Sequence, residues 1–279
     1  MPTLPISKKQ LDKLGDRLRD AASPAAEDFE LLEQVLGAYD EALQCVRTRL
    51  LELGFEPTVR LKTTGTIVDK LRRDRSSSLK TIQDLAGARI VLAGTLRTQD
   101  AAAQTIMESY AAGPVLPLLV DRRADPRAGY RALHVILRLD GIPVEVQIRT
   151  ELQDLWAQLF ERLADTWGRQ IRYGGPPNSD GSESRVQARR RTVAVMMRIS
   201  EVMARSESLS AALEELDVPT LLQTAGVDAS ASDEEIPAKF REVRSQYLEV
   251  SAQEIRLEAE VREMLTMVAE VVGKEVTSG

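Results

Sequence analysis

The sequence predicts an α+β fold in which a mixed β-sheet is flanked by N- and C-terminal helices. Helical repeats of apolar residues alternate with short two-residue repeats in the first two thirds of the chain, and the last third is helical in pattern. With 279 residues, 43% of them hydrophobic, the chain can bury a substantial core. We expect an N-terminal helical segment (1–54), a core (55–172), a linker or mobile loop (173–184) and a C-terminal helical region (185–279).

The elements of the first half follow from local patterns. Apolar residues at three- and four-residue steps predict a long helix that ends near Gly54. We interpret Ser23 as its N-cap and Pro24 as a proline in its first turn. Alternation predicts a strand over 58–62. The next predicted elements are a helix over 66–75, a strand over 88–92, a helix over 98–111 and a strand over 115–120, which Pro117 places at an edge or bulge.

The strongest turn and capping signals come next. Strands predicted over 131–139 and 142–149 are joined by Asp140-Gly141, which is typical of a tight hairpin. Thr150 and Gln153 form a capping box that opens an amphipathic helix. Further helices are predicted over 186–203, near Leu221 and from about 234 to 272.

Composition excludes several classes of protein and site. The net charge of −6 argues against a surface that binds nucleic acid or anionic lipid throughout. No apolar run approaches the roughly 18 residues of a membrane span, and the first residues lack a signal-like apolar core, so we expect no membrane contact and a cytoplasmic location. A single cysteine, Cys45, and a single histidine, His134, exclude disulfides, Cys-rich metal sites and multi-histidine metal sites.

Charge is distributed unevenly along the chain. Residues 60–89 contain eight basic and three acidic residues, whereas residues 201–279 contain seven basic and 17 acidic ones. The middle of the chain therefore suits an anionic ligand, and the C-terminal region is an acidic appendage.

The predicted hairpin carries a row of functional groups. Glu145, Gln147 and Arg149 alternate with apolar residues, so a carboxylate, an amide and a guanidinium face one way, beside His134 and Arg131 on the preceding strand. Alone, such a row is typical of a solvated sheet face. The basic segment nearby favours the floor of a site instead.

Carboxylates in this region suggest a metal site. Asp84 stands just before a buried strand, where by itself it is typical of a cap or turn. Paired with Glu145 it offers the carboxylates that Mg²⁺ prefers alongside phosphate oxygens and water. Asp121, at the end of another strand, is a weaker third candidate.

A basic strand-to-helix turn surrounds Gly65. Cationic side chains, a hydroxyl group and the amides of a helix N-terminus are what a polyphosphate requires. The chain has neither the glycine-rich loop of P-loop proteins nor a dinucleotide fingerprint. The residues of this turn are Arg60, Lys62, Thr66, Lys70 and Arg72.

An aromatic residue follows a short loop in the same half of the chain. Tyr130 stands after Asp125-Pro-Arg-Ala-Gly and between Arg127 and Arg131. It suits either a place in the core or stacking on a nucleobase.

Four of these segments together resemble the RelA/SpoT-type alarmone synthetase family, whose members transfer pyrophosphate from ATP to the ribose 3′-hydroxyl of GDP or GTP. The resemblance runs from about Arg60 to Trp167. The similar segments are RLKTTGTIVDK (60–70), DLAGARI (84–90), GYRALH (129–134) and EVQIRT (145–150).

The resemblance implies a nucleotidyltransferase-like synthetase domain that depends on Mg²⁺ and binds ATP and GDP or GTP. It implies that Asp84 and Glu145 hold the metal and carry catalysis, with Glu145 activating the 3′-hydroxyl. Such chemistry depends on positioning and on charge neutralisation. ATP would bind to Arg60, Lys62, Thr66, Lys70 and Arg72, and the acceptor to Arg127, Tyr130, His134, Gln147 and Arg149.

The chain departs from the family pattern in the loop before Tyr130. Many members carry a lysine and an asparagine there, whereas this chain has Arg127 and, near the asparagine's place, Ala128.

Three hypotheses about function follow: a (p)ppGpp synthetase, a toxin-type relative that modifies adenosine nucleotides or the tRNA 3′ end, and a nucleotide-binding module without catalysis. The acidic C-terminal region argues against tRNA. The apolar stripes of the C-terminal helices suit either packing within the chain or pairing with a second subunit in a homo-oligomer.

Overall fold

The structure is a computed structural model that describes residues 2–73, 75, 78–224 and 238–277. The chain divides into two compact units. The first unit comprises Met1–Leu92, Asp100–Asp121 and Ala132–Arg149. The second comprises Ala93–Gln99, Arg122–Arg131 and Thr150–Gly279.

A five-stranded mixed sheet forms the centre of the first unit, which confirms the predicted α+β fold. Its strand order is β1-β2-β5-β4-β3, so β5 lies in the middle, between β2 and β4. The β1–β2, β3–β4 and β4–β5 pairs are antiparallel. The strands are β1 (Thr58–Leu61), β2 (Ala86–Leu92), β3 (Leu118–Asp121), β4 (Leu133–Leu139) and β5 (Ile142–Thr150).

The β4–β5 hairpin forms at the predicted turn. Asp140 and Gly141 have φ angles of 48° and 87°, the left-handed values that a tight two-residue hairpin turn requires. β3 is an edge strand, as Pro117 predicts, but it begins at Leu118 and not at residue 115, because proline has no backbone N–H to donate to a ladder. The turn and the edge strand therefore follow from local chemistry.

Helices complete the core of the first unit, where buried residues such as Leu14, Leu32 and Ile67 pack with Ile90 and Val144 of the sheet. Its helices are α1 (Lys8–Asp20), α2 (Ala26–Glu52), α3 (Thr64–Arg73) and α4 (Leu96–Ser109), the last of which starts in the second unit.

The start of α2 differs from the prediction. Its N-cap is Ala25, which supplies no side-chain hydrogen bond, so Ser23 is not the cap and Pro24 precedes the first turn. Asp28, in the first turn, lies 2.7 Å from the Arg17 guanidinium of α1. A tertiary ion pair thus accompanies a helix start that has no local cap.

Helices build the second unit. The capping box of Thr150 and Gln153 opens α5, as predicted. Residues 234–237 of the last predicted helix lie outside the described residues. Of the helices described, none is long and apolar enough to cross a membrane. The helices are α5 (Glu151–Trp167), a 3₁₀ helix (Arg169–Tyr173), α6 (Glu183–Leu216), α7 (Val218–Thr224) and α8 (Ala238–Thr277).

Candidate active site

Glu145 stands at the centre of a hydrogen-bonded row on β5. His134 Nδ1 lies 3.0 Å from its Oε1 atom, and Gln147 donates from Nε2 to its Oε2 atom at 2.7 Å. Arg149 in turn donates from Nη2 to the Gln147 Oε1 atom at 2.9 Å. The Glu145 side chain is only 12% exposed. The row is therefore not a solvated face.

The ionisation of Glu145 follows from these contacts. Burial raises the pKa of the carboxyl group, but the hydrogen bonds from His134 and Gln147 outweigh it, so the pKa of Glu145 lies below its ordinary value. Glu145 is consequently ionised at neutral pH and can accept a proton or bind a cation.

Asp84 is held between two ammonium groups. Its Oδ2 atom lies 2.6 Å from Lys62 Nζ, and its Oδ1 atom lies 2.8 Å from Lys70 Nζ. The backbone amide of Lys62, at the end of β1, also donates to the Leu85 carbonyl at 2.8 Å, which fixes the chain beside Asp84. Three separate segments therefore meet at one carboxylate.

The charges of this cluster depend on one another. Burial raises the pKa of Asp84, but the attraction of Lys62 and Lys70 lowers it more, so the net pKa of Asp84 is below its ordinary value. Burial lowers the pKa of Lys62 in spite of Asp84. An incoming polyanion can therefore compete with the Asp84 carboxylate for the ammonium groups of Lys62 and Lys70.

The Asp84 cluster and Glu145 belong to one site of the first unit. β2 lies between β1 and β5, and at Gly87 an added Cβ atom would lie 3.7 Å from the Glu145 carbonyl oxygen. Burial lowers the pKa of Lys62, and the negative charge of Glu145 is among the smaller contributions that oppose this lowering. The charge of Asp84 also acts on Glu145, so both carboxylates lie in the same region of the first unit.

The other residues of the predicted phosphate turn have different surroundings. Arg60 is exposed on β1, and Thr66 donates from Oγ1 to the Thr63 carbonyl at 2.8 Å in the first turn of α3. Arg72 donates from Nη2 to the Ala21 carbonyl, 3.0 Å away at the end of α1. Asp121, the weaker third carboxylate candidate, lies on the edge strand β3, where it pairs with Leu133 of β4. Lys62 and Lys70 are therefore the members that reach Asp84.

The loop before Tyr130 belongs to the second unit and closes tightly. Tyr130 donates its backbone amide to the Arg127 carbonyl at 3.0 Å, and Ala128 and Gly129 have φ angles of 47° and 80°. At Gly129 an added Cβ atom would lie 2.8 Å from the Trp156 ring. Glycine is therefore required here both for backbone conformation and for close packing.

Tyr130 and Arg127 line one pocket of the second unit. Its volume is about 130 Å³, below the roughly 300–1,000 Å³ of sites that enclose a whole ligand. One wall is a stacked pair, Trp156 and Phe160, whose ring centroids are 4.7 Å apart. The lining residues are Arg127, Tyr130, Trp156, Ala157, Phe160, Glu161 and Arg172.

Arg131 does not lie on the strand that carries His134, contrary to the prediction. β4 begins two residues later, and Arg131 belongs to the second unit, where its Nη1 atom donates to the Arg123 carbonyl at 2.6 Å. Its Nε atom donates to Ser200 Oγ at 3.1 Å. These bonds hold Arg131 outside the ladder of the sheet.

Comparison with known proteins assigns the central part of the chain. Residues 59–164 match the family model described as a region found in RelA/SpoT proteins. The chain carries a RelA/SpoT domain. Uncharacterized proteins of Mycobacterium tuberculosis and Mycobacterium bovis are each 40% identical to it over 178 residues, which cover 62% of this chain and 64% of theirs. The match thus spans less than two thirds of the length of these relatives.

This protein also shows partial similarity to solved structures. The small alarmone synthetase 1 from Bacillus subtilis is 23% identical with a TM-score of 0.45, covering 62% of this chain and 94% of that one. The small alarmone synthetase 2 from Bacillus subtilis is 21% identical with a TM-score of 0.44, covering 62% and 95%. The RelA/SpoT assignment rests on the family match and not on these structures.

The oxygen donors of the RelA/SpoT domain fit a hard divalent cation. Asp84 and Glu145 supply two carboxylates, the number that Mg²⁺ takes when phosphate oxygens and water complete its shell. Within the ranges that the structure describes, no three His, Cys, Asp or Glu side chains group to enclose a metal by themselves. Two carboxylates leave the other positions of a Mg²⁺ shell to phosphate oxygens and water.

Sequence reasoning missed part of the pocket at the C-terminal end of the RelA/SpoT domain. The apolar spacing of α5 indicates that Trp156 and Phe160 face its buried side, and no sequence pattern singles out Glu161 or Arg172. Helical periodicity identifies buried positions, but it does not reveal that two of them form the wall of a pocket beside Tyr130.

Proposed function

We propose that this protein is an Mg²⁺-dependent pyrophosphokinase that transfers the β,γ-pyrophosphate of ATP to the 3′-hydroxyl of GDP or GTP, making (p)ppGpp. One observation carries the proposal: a hydrogen-bonded, ionised Glu145 shares a site with Asp84 and its two lysines, inside a RelA/SpoT domain.

The donor nucleotide is assigned to the basic side of the site. Lys62 and Lys70 are already positioned at Asp84, and Arg60 is exposed on β1, two residues before Lys62. Phosphates that attract the two ammonium groups would free the Asp84 carboxylate for a cation. The first turn of α3, with Thr66, adds backbone amides that favour an anion.

Asp84 and Glu145 are the residues that would hold Mg²⁺, which when bound neutralises charge on the phosphate oxygens. The acceptor 3′-oxygen attacks the β-phosphorus of ATP and forms a new P–O bond. The bond from that phosphorus to the oxygen bridging the α-phosphate breaks, and AMP leaves with the electron pair. A carboxylate oxygen of Glu145 takes the hydroxyl proton, because its lowered pKa keeps it ionised.

Residues that suit an acceptor nucleotide are assigned within each unit by itself. Gln147 and Arg149 extend the Glu145 row, and His134 orients the Glu145 carboxylate through its Nδ1 atom. Tyr130 and Arg127 line the pocket of the second unit, where the tyrosine ring offers a stacking surface for a base. Such stacking tolerates any base and leaves the choice of acceptor to other groups.

Product analysis tests the proposal against the alternatives. The protein is incubated with Mg²⁺ and ATP plus GDP, GTP, ADP or deacylated tRNA, and the products are separated by chromatography. We expect AMP together with ppGpp or pppGpp. A pyrophosphorylated adenosine nucleotide or tRNA would support the toxin-type hypothesis, and nucleotide binding without any product would support a module that lacks catalysis.

A further inference from the structure

An apolar groove lies between α6 and α8, on the surface of the helical second unit. Its volume is about 280 Å³, and its walls are apolar apart from Arg191 and Thr192. Val195 of α6 is 41% exposed there, and Met267 and Val271 of α8 are 51% and 50% exposed. An exposed, contiguous apolar groove of this kind is typical of a surface that another protein covers.

On α6, two arginines flank the exposed valine of the groove. Arg191 precedes Val195 by four residues and Arg198 follows it by three, so the three side chains share one face of the helix. Both arginines are exposed, and within the described residues neither of them forms an ion pair. The α6 border of the groove is therefore positively charged and open to an anionic partner.

On α8, two glutamates flank the exposed methionine with the same spacing. Glu263 precedes Met267 by four residues and Glu270 follows it by three, so these side chains also share one face. Both glutamates are exposed, and across the part of the chain that the structure describes neither carboxylate has an ion-pair partner. The α8 border of the groove is therefore negatively charged.

The basic and acidic borders lie at the same height of an antiparallel helix pair. Arg191 and Val271 line the groove together, while further along the pair Ser210 Oγ donates to Glu254 Oε1 at 2.6 Å. Counted from these contacts, each of the two arginines lies within one helical turn of one of the two glutamates. The apolar groove nevertheless separates the borders, so they do not neutralise each other inside one chain.

We propose that this groove is the interface of a homodimer whose two-fold axis runs parallel to α6 and α8. Such an axis preserves the height of every residue and places α6 of one copy against α8 of the other, so that the same patch is used twice. Arg191 then meets the partner's Glu270, and Arg198 meets the partner's Glu263. The apolar residues between them close the groove from both sides.

We expect this contact to be weak and sensitive to salt. Its apolar centre is small, which places it at the low end of protein interfaces in area, and ion pairs at exposed positions are screened by salt. One heptad beyond Arg198, Arg205 comes level with Arg256, and these like charges end the favourable contact. The inference does not depend on the proposed transfer, because none of these residues belongs to the candidate active site.

Charge reversal in the whole protein tests the pairing. Arg198→Glu and Glu263→Arg are each compared with wild type by sedimentation velocity at rising protein concentration, and are then mixed with each other. One variant is labelled at Cys45, the single cysteine, which is exposed, so that fluorescence-detected sedimentation reports mixed dimers. The matched control is Arg190→Glu, which reverses the same charge at an exposed position on another face of α6.

We expect wild type and Arg190→Glu to dimerise reversibly and to dissociate as salt rises. Arg198→Glu and Glu263→Arg should each weaken dimerisation roughly 10-fold or more, because the two-fold axis repeats the repulsion at two places. The mixture of these two variants should dimerise about as tightly as wild type, since every repulsive pair then becomes an attractive one. Such a rescue between two copies excludes an effect within one chain.

Three results would overturn the inference. They are a wild type that stays monomeric at every concentration, single reversals that dimerise as tightly as wild type, or a mixture that associates no better than either variant alone. A monomeric wild type would leave the groove to a different protein or to solvent. Melting temperatures are measured alongside, and restored association in the mixture itself requires both variants to be folded.

Discussion

His134 Nδ1 lies 3.0 Å from Glu145 Oε1, although the two residues are not directly opposite each other in the sheet. In the β4–β5 ladder His134 pairs with Gln147, and Glu145 pairs with Ile136, so the contact is diagonal. The Asp140-Gly141 turn fixes this register, and a slip of one residue would move Glu145 to the opposite face. The hairpin turn therefore determines which groups surround the proposed base.

Replacing Glu145 by glutamine should abolish transfer while the protein stays folded. Glutamine is nearly isosteric but carries no charge to accept the proton or bind the cation, so the rate of AMP release should fall by ~10²-fold or more. Thermal unfolding should be close to that of wild type. A variant that retains more than a tenth of the wild-type rate would remove Glu145 from the mechanism.

Replacing Asp84 by asparagine should weaken both the rate and its dependence on Mg²⁺. The change removes the negative charge that Lys62 and Lys70 share, and with it one of the two carboxylates proposed for the metal. The measurement is the rate as a function of Mg²⁺ concentration. Normal activity at limiting Mg²⁺ would place the metal elsewhere, and Asp121→Asn would then be the next variant to measure.

Replacing Tyr130 separates stacking from packing. Tyr130→Ala should raise the acceptor KM by an amount equivalent to about 1–3 kcal/mol, the usual value of a base–aromatic stack, whereas Tyr130→Phe should be mild. Acceptor KM at saturating ATP is measured beside the melting temperature. If Tyr130→Ala lowered the melting temperature but left acceptor KM normal, the ring would belong to the core.

Relieving the backbone at Ala128 should stabilise the loop before Tyr130. Ala128 has a φ angle of 47°, a left-handed conformation that costs an alanine about 1–2 kcal/mol. Ala128→Gly and Ala128→Asn should both raise the free energy of unfolding, since glycine and asparagine tolerate this conformation. Urea denaturation measures the change. Ala124→Gly, at an exposed position earlier in the loop, is the comparison, and an equal effect there would contradict the explanation.

Glu207 should make stability depend on pH. It is buried on α6, where its carboxylate accepts hydrogen bonds from Thr150 Oγ1 and, at 3.1 Å, from Gln153 Nε2. Burial raises the pKa of Glu207 above its ordinary value of 4.5 in spite of these bonds. In the window between 4.5 and the raised value the folded state binds more protons, so stability should fall as pH rises.

Urea denaturation of Glu207→Gln from pH 4.5 to 8 checks this expectation. The variant has no proton to lose, so its stability should change less with pH than that of wild type, while exposed Glu201→Gln should follow wild type. Glu207→Ala should lose about 1–3 kcal/mol at every pH, because the two buried donors would have no acceptor. A Glu207→Gln profile parallel to that of wild type would contradict the assignment.

Local sequence patterns predicted much of the sheet. Alternation located Glu145, Gln147 and Arg149 on one face, and the Asp140-Gly141 turn and the Thr150–Gln153 capping box formed as expected. Helix α1 was not predicted as a separate element, although the sequence contains its capping box of Ser7 and Gln10. These features depend on residues a few positions apart, which is why a single sequence reveals them.

The sequence by itself determined the α+β fold, the hairpin that carries Glu145 and the basic character of the segment around Gly65. Only the tertiary structure decided that Lys62 and Lys70 meet at Asp84, that Arg72 binds the end of α1 instead, and that Glu161 lines a pocket with Tyr130. The physical reason is the separation along the chain between the residues that interact. Backbone periodicity and turn chemistry act between near neighbours, whereas ion pairs and pockets join residues that come together only when helices and strands pack.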